Sequence, residues 1–221
     1  MKLFSQSAEG EQLRSMILLI ALVAVILLSS RFAGETVDVV SGTFSTAVFC
    51  VAGYLIGARR LWLTAYLSLA VPALLIRIFI DVHPSQGLEI TDAFLGLGLR
   101  LLLILLVFRF SLFERGARQL DRVFAGICGY LILALLWWSA YEIHELFAPG
   151  GFAISNGVGM QKNDGSLLYF SLVTLSTLGY GDISPVTPTT RILSALEAVT
   201  GTLYLAVFIS SLVSGWRGRA D

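Results

Sequence analysis

The sequence predicts an all-α integral membrane protein with six transmembrane helices and one shorter re-entrant helix. Three observations predict it. The 221 residues are 56% hydrophobic and only 14% charged, with a mean hydropathy of +0.81, whereas a soluble domain carries about a quarter charged residues. The apolar residues fall in long blocks, and six of them approach the ~20 residues that a bilayer span requires: 14–30, 40–57, 61–80, 92–110, 122–147 and 190–214. Between the last two lies an apolar run too short to cross, followed by the glycine-containing stretch Thr177-Leu178-Gly179-Tyr180-Gly181-Asp182.

Charge sets the orientation. With the amino terminus in the cytoplasm, the inner side holds Lys2, Arg14, Arg59, Arg60, Arg109, Arg115, Arg118, Arg122, Arg217 and Arg219. The outer side holds only Arg31, Lys162 and Arg191, together with most of the acids. This asymmetry satisfies the positive-inside rule with both termini cytoplasmic, and puts segment 148–189 on the outer face. A plasma-membrane protein is expected, in the inner membrane if the cell is Gram-negative. Lys2 and Arg14 ahead of the apolar run Met16–Leu28 also fit a signal peptide. Ser29-Ser30-Arg31-Phe32-Ala33 is a poor cleavage site, so a retained first span is expected.

Residues 1–110 form a four-span unit with short connections. Its third span carries Arg77 beside Asp81, an expected i,i+4 pair. Cys50 and Cys128 lie inside apolar spans and read as small buried hydrophobes. His83 and His144 lie near outer span ends with no second ligand at helical spacing, so no metal site is expected. In the connector 111–122, Leu112, Phe113, Ala117 and Leu120 alternate with Glu114, Arg115, Arg118, Gln119 and Asp121. That is the pattern of an amphipathic helix on the inner membrane surface, acting either as a lever on the following unit or as a tether.

Residues 123–221 make the second unit. The loop Phe147–Gly165, with Pro149 and Gly150, Gly151, Gly157, Gly159 and Gly165, reads as an irregular outer turret rather than a packed element. Ser166–Thr177 then predicts a helix of about 18 Å at 1.5 Å per residue, with Asp164 and Ser166 as suitable N-terminal caps. Irregular backbone follows at membrane depth, which is tolerated only where it is buried in protein or lines a wet cavity. The chemistry suits a dehydrated monovalent cation. Carbonyls of Thr177, Leu178, Gly179 and Tyr180, with the Thr177 hydroxyl, can replace a hydration shell when several chains aim them at one axis. Gly179 and Gly181 permit the backbone angles this needs, while Leu178 and Tyr180 would wedge outward. No residue from Ser166 to Gly181 is charged, and the negative end of the short helix favours a waiting cation.

The stretch from Tyr169 to Asp182 resembles the pore helix and selectivity filter of the tetrameric potassium channels, and Ile183-Ser184-Pro185-Val186-Thr187-Pro188 resembles their outer mouth. The resemblance covers about residues 125–214. It implies a homotetramer of six-span subunits, each giving one pore loop, with K+ as the permeant ion held at Thr177, Leu178, Gly179, Tyr180 and Gly181, and no cofactor. Gly201 falls where the family often has a gating hinge; close helix packing beside Ala198 and Thr200 is its other reading. Leu178 stands where Val is usual, and Ser176 where Thr is. Phe170 takes a position often held by Trp, so Tyr169 or water must support Asp182. Glu197, inside the last span, is either a hydrogen-bonded structural acid or a cavity group that attracts cations.

Four spans before a pore raise the question of a voltage sensor. Arg100, Arg109, Arg115 and Arg118 share an every-third register, but Leu103, Leu106 and Leu112 interrupt it and only Arg100 lies well within the bilayer. Moving one charge through 100 mV yields about 2.3 kcal/mol, so steep gating needs several charges, and weak or absent voltage dependence is expected. A poorly selective cation channel, or a nonconducting regulatory subunit, is the alternative reading. No nucleophile–base set or metal-ligand spacing points to an enzyme, nothing points to nucleic acid, and no soluble ligand-binding domain is expected at either end. Lipids and further copies of the chain are the expected partners.

Overall fold

The computed structural model describes residues 19–20, 22–24, 60–83, 85–113, 119–155 and 165–217. Apart from the helical residues at 19–20 and 22–24, the first two predicted spans lie outside the described residues, as do connector residues 114–118 and turret residues 156–164. The elements in order are α1 (Arg60–Val82), α2 (Gln86–Phe113), α3 (Gln119–Phe147), β1 (Phe152–Ile154), α4 (Ser166–Leu175), β2 (Ile183–Pro185) and α5 (Pro188–Arg217).

Among the described residues, three helical segments are long and apolar enough to cross a membrane: Gln86–Phe108, Arg122–Phe147 and Pro188–Ser211. The third predicted span is α1, which is 23 residues long and has Pro72 inside it. The flanking spans take up the ends of the connector 111–122: α2 runs to Phe113 and α3 begins at Gln119.

One apolar core joins α1, α2 and α3 through Tyr66, Ala70, Leu99, Leu103, Cys128 and Ile132, and reaches Leu168 of α4. Leu22, from the first predicted span, belongs to the same core. Small residues bring α5 against α3. A side chain on Gly126 would overlap the Phe208 ring, and one on Gly129 would overlap the Tyr204 hydroxyl. This is the small-residue packing that lets membrane helices approach closely. Tyr204 seals the contact by donating to the Gly126 carbonyl at 2.6 Å.

The two arginines inside the spans are both held. Arg77 pairs with Asp92 on α2, its Nε 2.9 and 3.1 Å from the two carboxylate oxygens, while the side chain of Asp81, the expected partner, lies outside the described residues. The α1–α2 connection is tight enough to bring a charge from the next helix within reach, which helical spacing alone does not reveal. Arg100 is 4% exposed. It donates to Ser139 Oγ of α3 at 2.6 Å and lies over the Trp138 ring, 4.9 Å from its centroid.

Candidate functional site

The short helix α4 sits among α3, α5 and the outer strands, burying Leu168, Phe170, Ser171, Val173 and Leu175. Its start differs from the expectation. Gly165 is the N-cap, in the left-handed region at φ 74°, and Ser166 is already helical, while Asp164 lies outside the described residues. Glycine adopts that left-handed turn without the steric cost of a Cβ.

The helix also ends two residues early, at Leu175, and its end builds the beginning of the filter-like strand. The Thr177 N–H donates to the Thr174 carbonyl and the Leu178 N–H to the Val173 carbonyl, both at 2.9 Å. With Thr177 at φ 58°, these are the two bonds of a Schellman cap with its left-handed residue. Glycine usually fills that place. A β-branched residue there is an outlier, and such strain, about 1–3 kcal/mol, persists only where surroundings impose it. Gly179 follows at φ 56° and Gly181 at φ 79°. Every second residue from 177 to 181 is therefore left-handed, while Leu178 and Tyr180 are not. The glycines were legible in the sequence; the strained threonine was not.

Residues Ser176 to Gly181 are exposed on the single chain, with Leu178 at 57% and Tyr180 at 65%. The side chains expected to wedge the strand in place are largely uncovered by the described residues.

Beyond the strand, Asp182 is fixed from three directions. Its Oδ2 accepts from the Tyr169 hydroxyl at 2.8 Å, its Oδ1 from the Ile183 N–H at 3.1 Å, and its carbonyl from the Ser155 N–H at 2.8 Å. Phe170 is buried instead in an aromatic cluster, edge-on to Tyr141 and Phe152 with centroids 5.4 and 5.0 Å away.

The turret is not wholly irregular, and here the sequence expectation is corrected. Phe152–Ile154 pairs antiparallel with Ile183–Pro185, in the register Phe152↔Pro185 and Ile154↔Ile183. Among the described residues this two-stranded ribbon is the exception to an all-α fold, and buried Phe152 anchors it. Glu145, at the end of α3, accepts from the Gly150 and Gly151 N–H groups at 2.8 and 2.7 Å. The Gly151 carbonyl in turn accepts from Thr190 Oγ1 and the Val186 N–H, both at 2.9 Å. The ribbon is thus tied to both flanking helices.

Glu197 and Gly201 lie on the face of α5 that meets α4. Glu197 is fully buried; it accepts from the Tyr141 hydroxyl and lies 2.5 Å from Ser171 Oγ. A Cβ on Gly201 would overlap the Leu175 carbonyl oxygen, and α5 runs as helix through it. That close approach by itself requires a glycine. Sequence reasoning missed Ser171, Tyr141, Tyr130 and Glu145. Tyr130 donates to the Leu175 carbonyl at 3.0 Å, at the end of α4. Hydroxyls set in apolar helices were the available signal. Among the described residues, no group of three His, Cys, Asp or Glu side chains could hold a metal ion.

Residues 127–215 match a protein family described as "Ion channel". The site just described lies within the matched residues. The match takes in most of α3, the outer ribbon, α4, the filter-like strand and nearly all of α5. Named relatives agree. The chain is 33% identical over 91 residues to "Two pore potassium channel c" of Oryza sativa subsp. japonica, covering 41% of this chain and 18% of that protein. It is 50% identical over 46 residues to "Two-pore potassium channel 4" of Arabidopsis thaliana, covering 21% of this chain and 16% of that one. It is 27% identical over 175 residues to "Voltage-gated potassium channel Kch" of Escherichia coli (strain K12), covering 77% of this chain and 36% of that one. The chain therefore spans well under half the length of these relatives. No solved structure matches. These similarities support a potassium-channel family, whose members transport ions rather than catalyse reactions.

Proposed function

We propose that the chain is one subunit of a homotetrameric potassium channel that conducts K+ passively through a carbonyl-lined filter at Thr177–Gly181. The observation that carries this reading is the left-handed backbone at Thr177, Gly179 and Gly181, springing from the capped end of a helix too short to cross. Carbonyls of Thr177, Leu178, Gly179 and Tyr180, with the Thr177 hydroxyl, would hold the dehydrated ion. One strand cannot surround an ion, so copies of the chain must converge. The exposed Leu178 and Tyr180 supply the apolar surface for that. So does α5, whose apolar window is only 11% buried against 39% and 44% for α2 and α3. The names of the rice, Arabidopsis and Escherichia coli relatives support K+ as the ion.

One relative is named voltage-gated, yet the arginines of α1 and α2 support weak or no voltage dependence here, because Arg77 and Arg100 are both clipped in place. The proposed location is the plasma membrane with both termini cytoplasmic, on the charge asymmetry of the sequence.

Reconstitution into liposomes under opposed K+ and Na+ gradients tests the reading. K+-selective flux that disappears in Gly179→Ala is expected, since alanine at φ 56° is strained. Near-equal K+ and Na+ permeability would favour a poorly selective cation channel. Selective flux unchanged in Gly179→Ala would refute the filter assignment.

A further inference from the structure

Behind the filter-like strand, Glu197 joins three helices by hydrogen bonds whose protons can be counted. The Tyr141 hydroxyl of α3 donates to Glu197 Oε2. Ser171 Oγ of α4 lies 2.5 Å from Glu197 Oε1 and 2.8 Å from the Ala134 carbonyl oxygen of α3. Each hydroxyl carries one hydrogen. Two hydroxyl hydrogens therefore face three acceptors: both Glu197 oxygens and the Ala134 carbonyl. If Glu197 were ionised, Ser171 could satisfy only one of its two close oxygens, leaving lone pairs opposed at the other. A hydrogen on Oε1 closes the set: Glu197 donates to Ser171, Ser171 to Ala134, and Tyr141 to Oε2.

The surroundings agree with this count. Glu197 has no exposed surface, and among the described residues no ion pair includes it. An isolated carboxylate in such a place is far costlier than a hydrogen-bonded neutral group. One turn further along both helices, Gly201 meets the Leu175 carbonyl. Glu197 and Gly201 on α5 thus face Ser171 and Leu175 on α4, four residues apart on each helix. The second contact lies two residues before Thr177, where the left-handed strand starts.

We propose that Glu197 is a neutral, proton-bearing strut: a positioning residue that fixes α4 against α5 and α3 and so sets the filter's discrimination between K+ and Na+. Its effect on the filter rests on the channel reading above; its protonation does not.

The full-length protein in liposomes provides the test, by two measurements. In Glu197→Gln, the amide N–H can donate to Ser171 and the carbonyl can accept from Tyr141, so K+/Na+ discrimination is expected to stay at the wild-type value. In Glu197→Ala the set is broken, and discrimination is expected to fall on the order of tenfold, the scale of one buried polar group left unmatched. Infrared difference spectra between wild type and Glu197→Gln at neutral pH should show the carbonyl band of a protonated carboxylic acid. A carboxylate signature instead, or Glu197→Gln losing discrimination as Glu197→Ala does, would overturn the strut. If Glu197→Ala does not assemble, the glutamine variant and the spectrum still decide. Wild-type protein with the acid band but no K+ flux would sink the channel reading while leaving the neutral acid standing.

Discussion

From Ser166 to Gly181 no side chain is charged, and the shape of the filter-like strand comes from backbone: a Schellman cap, three left-handed residues and a glycine pressed against a carbonyl. Along α1 and α2 the opposite holds. Arg77 and Arg100 lie within apolar helices and act as clips, one to Asp92 and the other to Ser139 and Trp138. The difference teaches where each region can tolerate change. A backbone-built site fails when a single methyl enters it. A clipped charge, once removed, leaves a weaker joint between helices that are still packed along their length.

The largest effect is expected from Gly201→Val, which attacks the backbone-built side. Its Cβ would overlap the Leu175 carbonyl oxygen, which is backbone and cannot rotate away. Overpacking costs about 1–3 kcal/mol, and 1.4 kcal/mol is about tenfold in an equilibrium. K+ flux should fall roughly tenfold or more, while size-exclusion chromatography shows the assembly retained. Flux at the wild-type level would mean that the end of α4 is not what holds the filter.

How much of this was legible in the sequence follows the same division. Hydropathy placed the bounds of α3 and α5 to within three residues and those of α2 to within six, because long apolar runs mark themselves. The filter-like stretch and its glycines were legible because few backbones need glycine at every second position. What could not be read depended on partners distant in sequence. Arg77 finds Asp92 on the next helix, Phe152–Ile154 becomes a strand only because Ile183–Pro185 lies beside it, and Thr177 adopts φ 58° because the end of α4 forces it. The glycines at 126 and 129 likewise gain meaning only from the Phe208 and Tyr204 side chains that occupy their space.

A smaller effect is expected from Tyr169→Phe, which removes the hydroxyl that donates to Asp182 at 2.8 Å. Asp182 keeps its bond from the Ile183 N–H, and its carbonyl keeps the Ser155 N–H, so the outer mouth loses one of three ties. Initial K+/Na+ selectivity should be unchanged, while flux during sustained opening declines a few-fold faster. A change in selectivity at the first measurable time point would show that this side chain shapes the strand itself.

The smallest effect on conduction is expected from Arg100→Gln. The change removes a cation stacked over Trp138, worth about 0.5–2 kcal/mol, and weakens a hydrogen bond of the kind that averages about 0.6 kcal/mol between membrane helices. Thermal stability should fall by about 1–3 kcal/mol on those terms. The dependence of conductance on voltage should not change. For Arg100 to serve as a gating charge it would have to leave Ser139 and Trp138 in every transition, and one charge crossing the whole field at 100 mV gains only about 2.3 kcal/mol. That gain is comparable to what holds the guanidinium in place, so most of it would be spent on release. Steep voltage activation in the wild type that flattens in Arg100→Gln would break the comparison, because α2 would then be a moving part. An unchanged slope with lowered stability would mark it as a fixed brace on the pore.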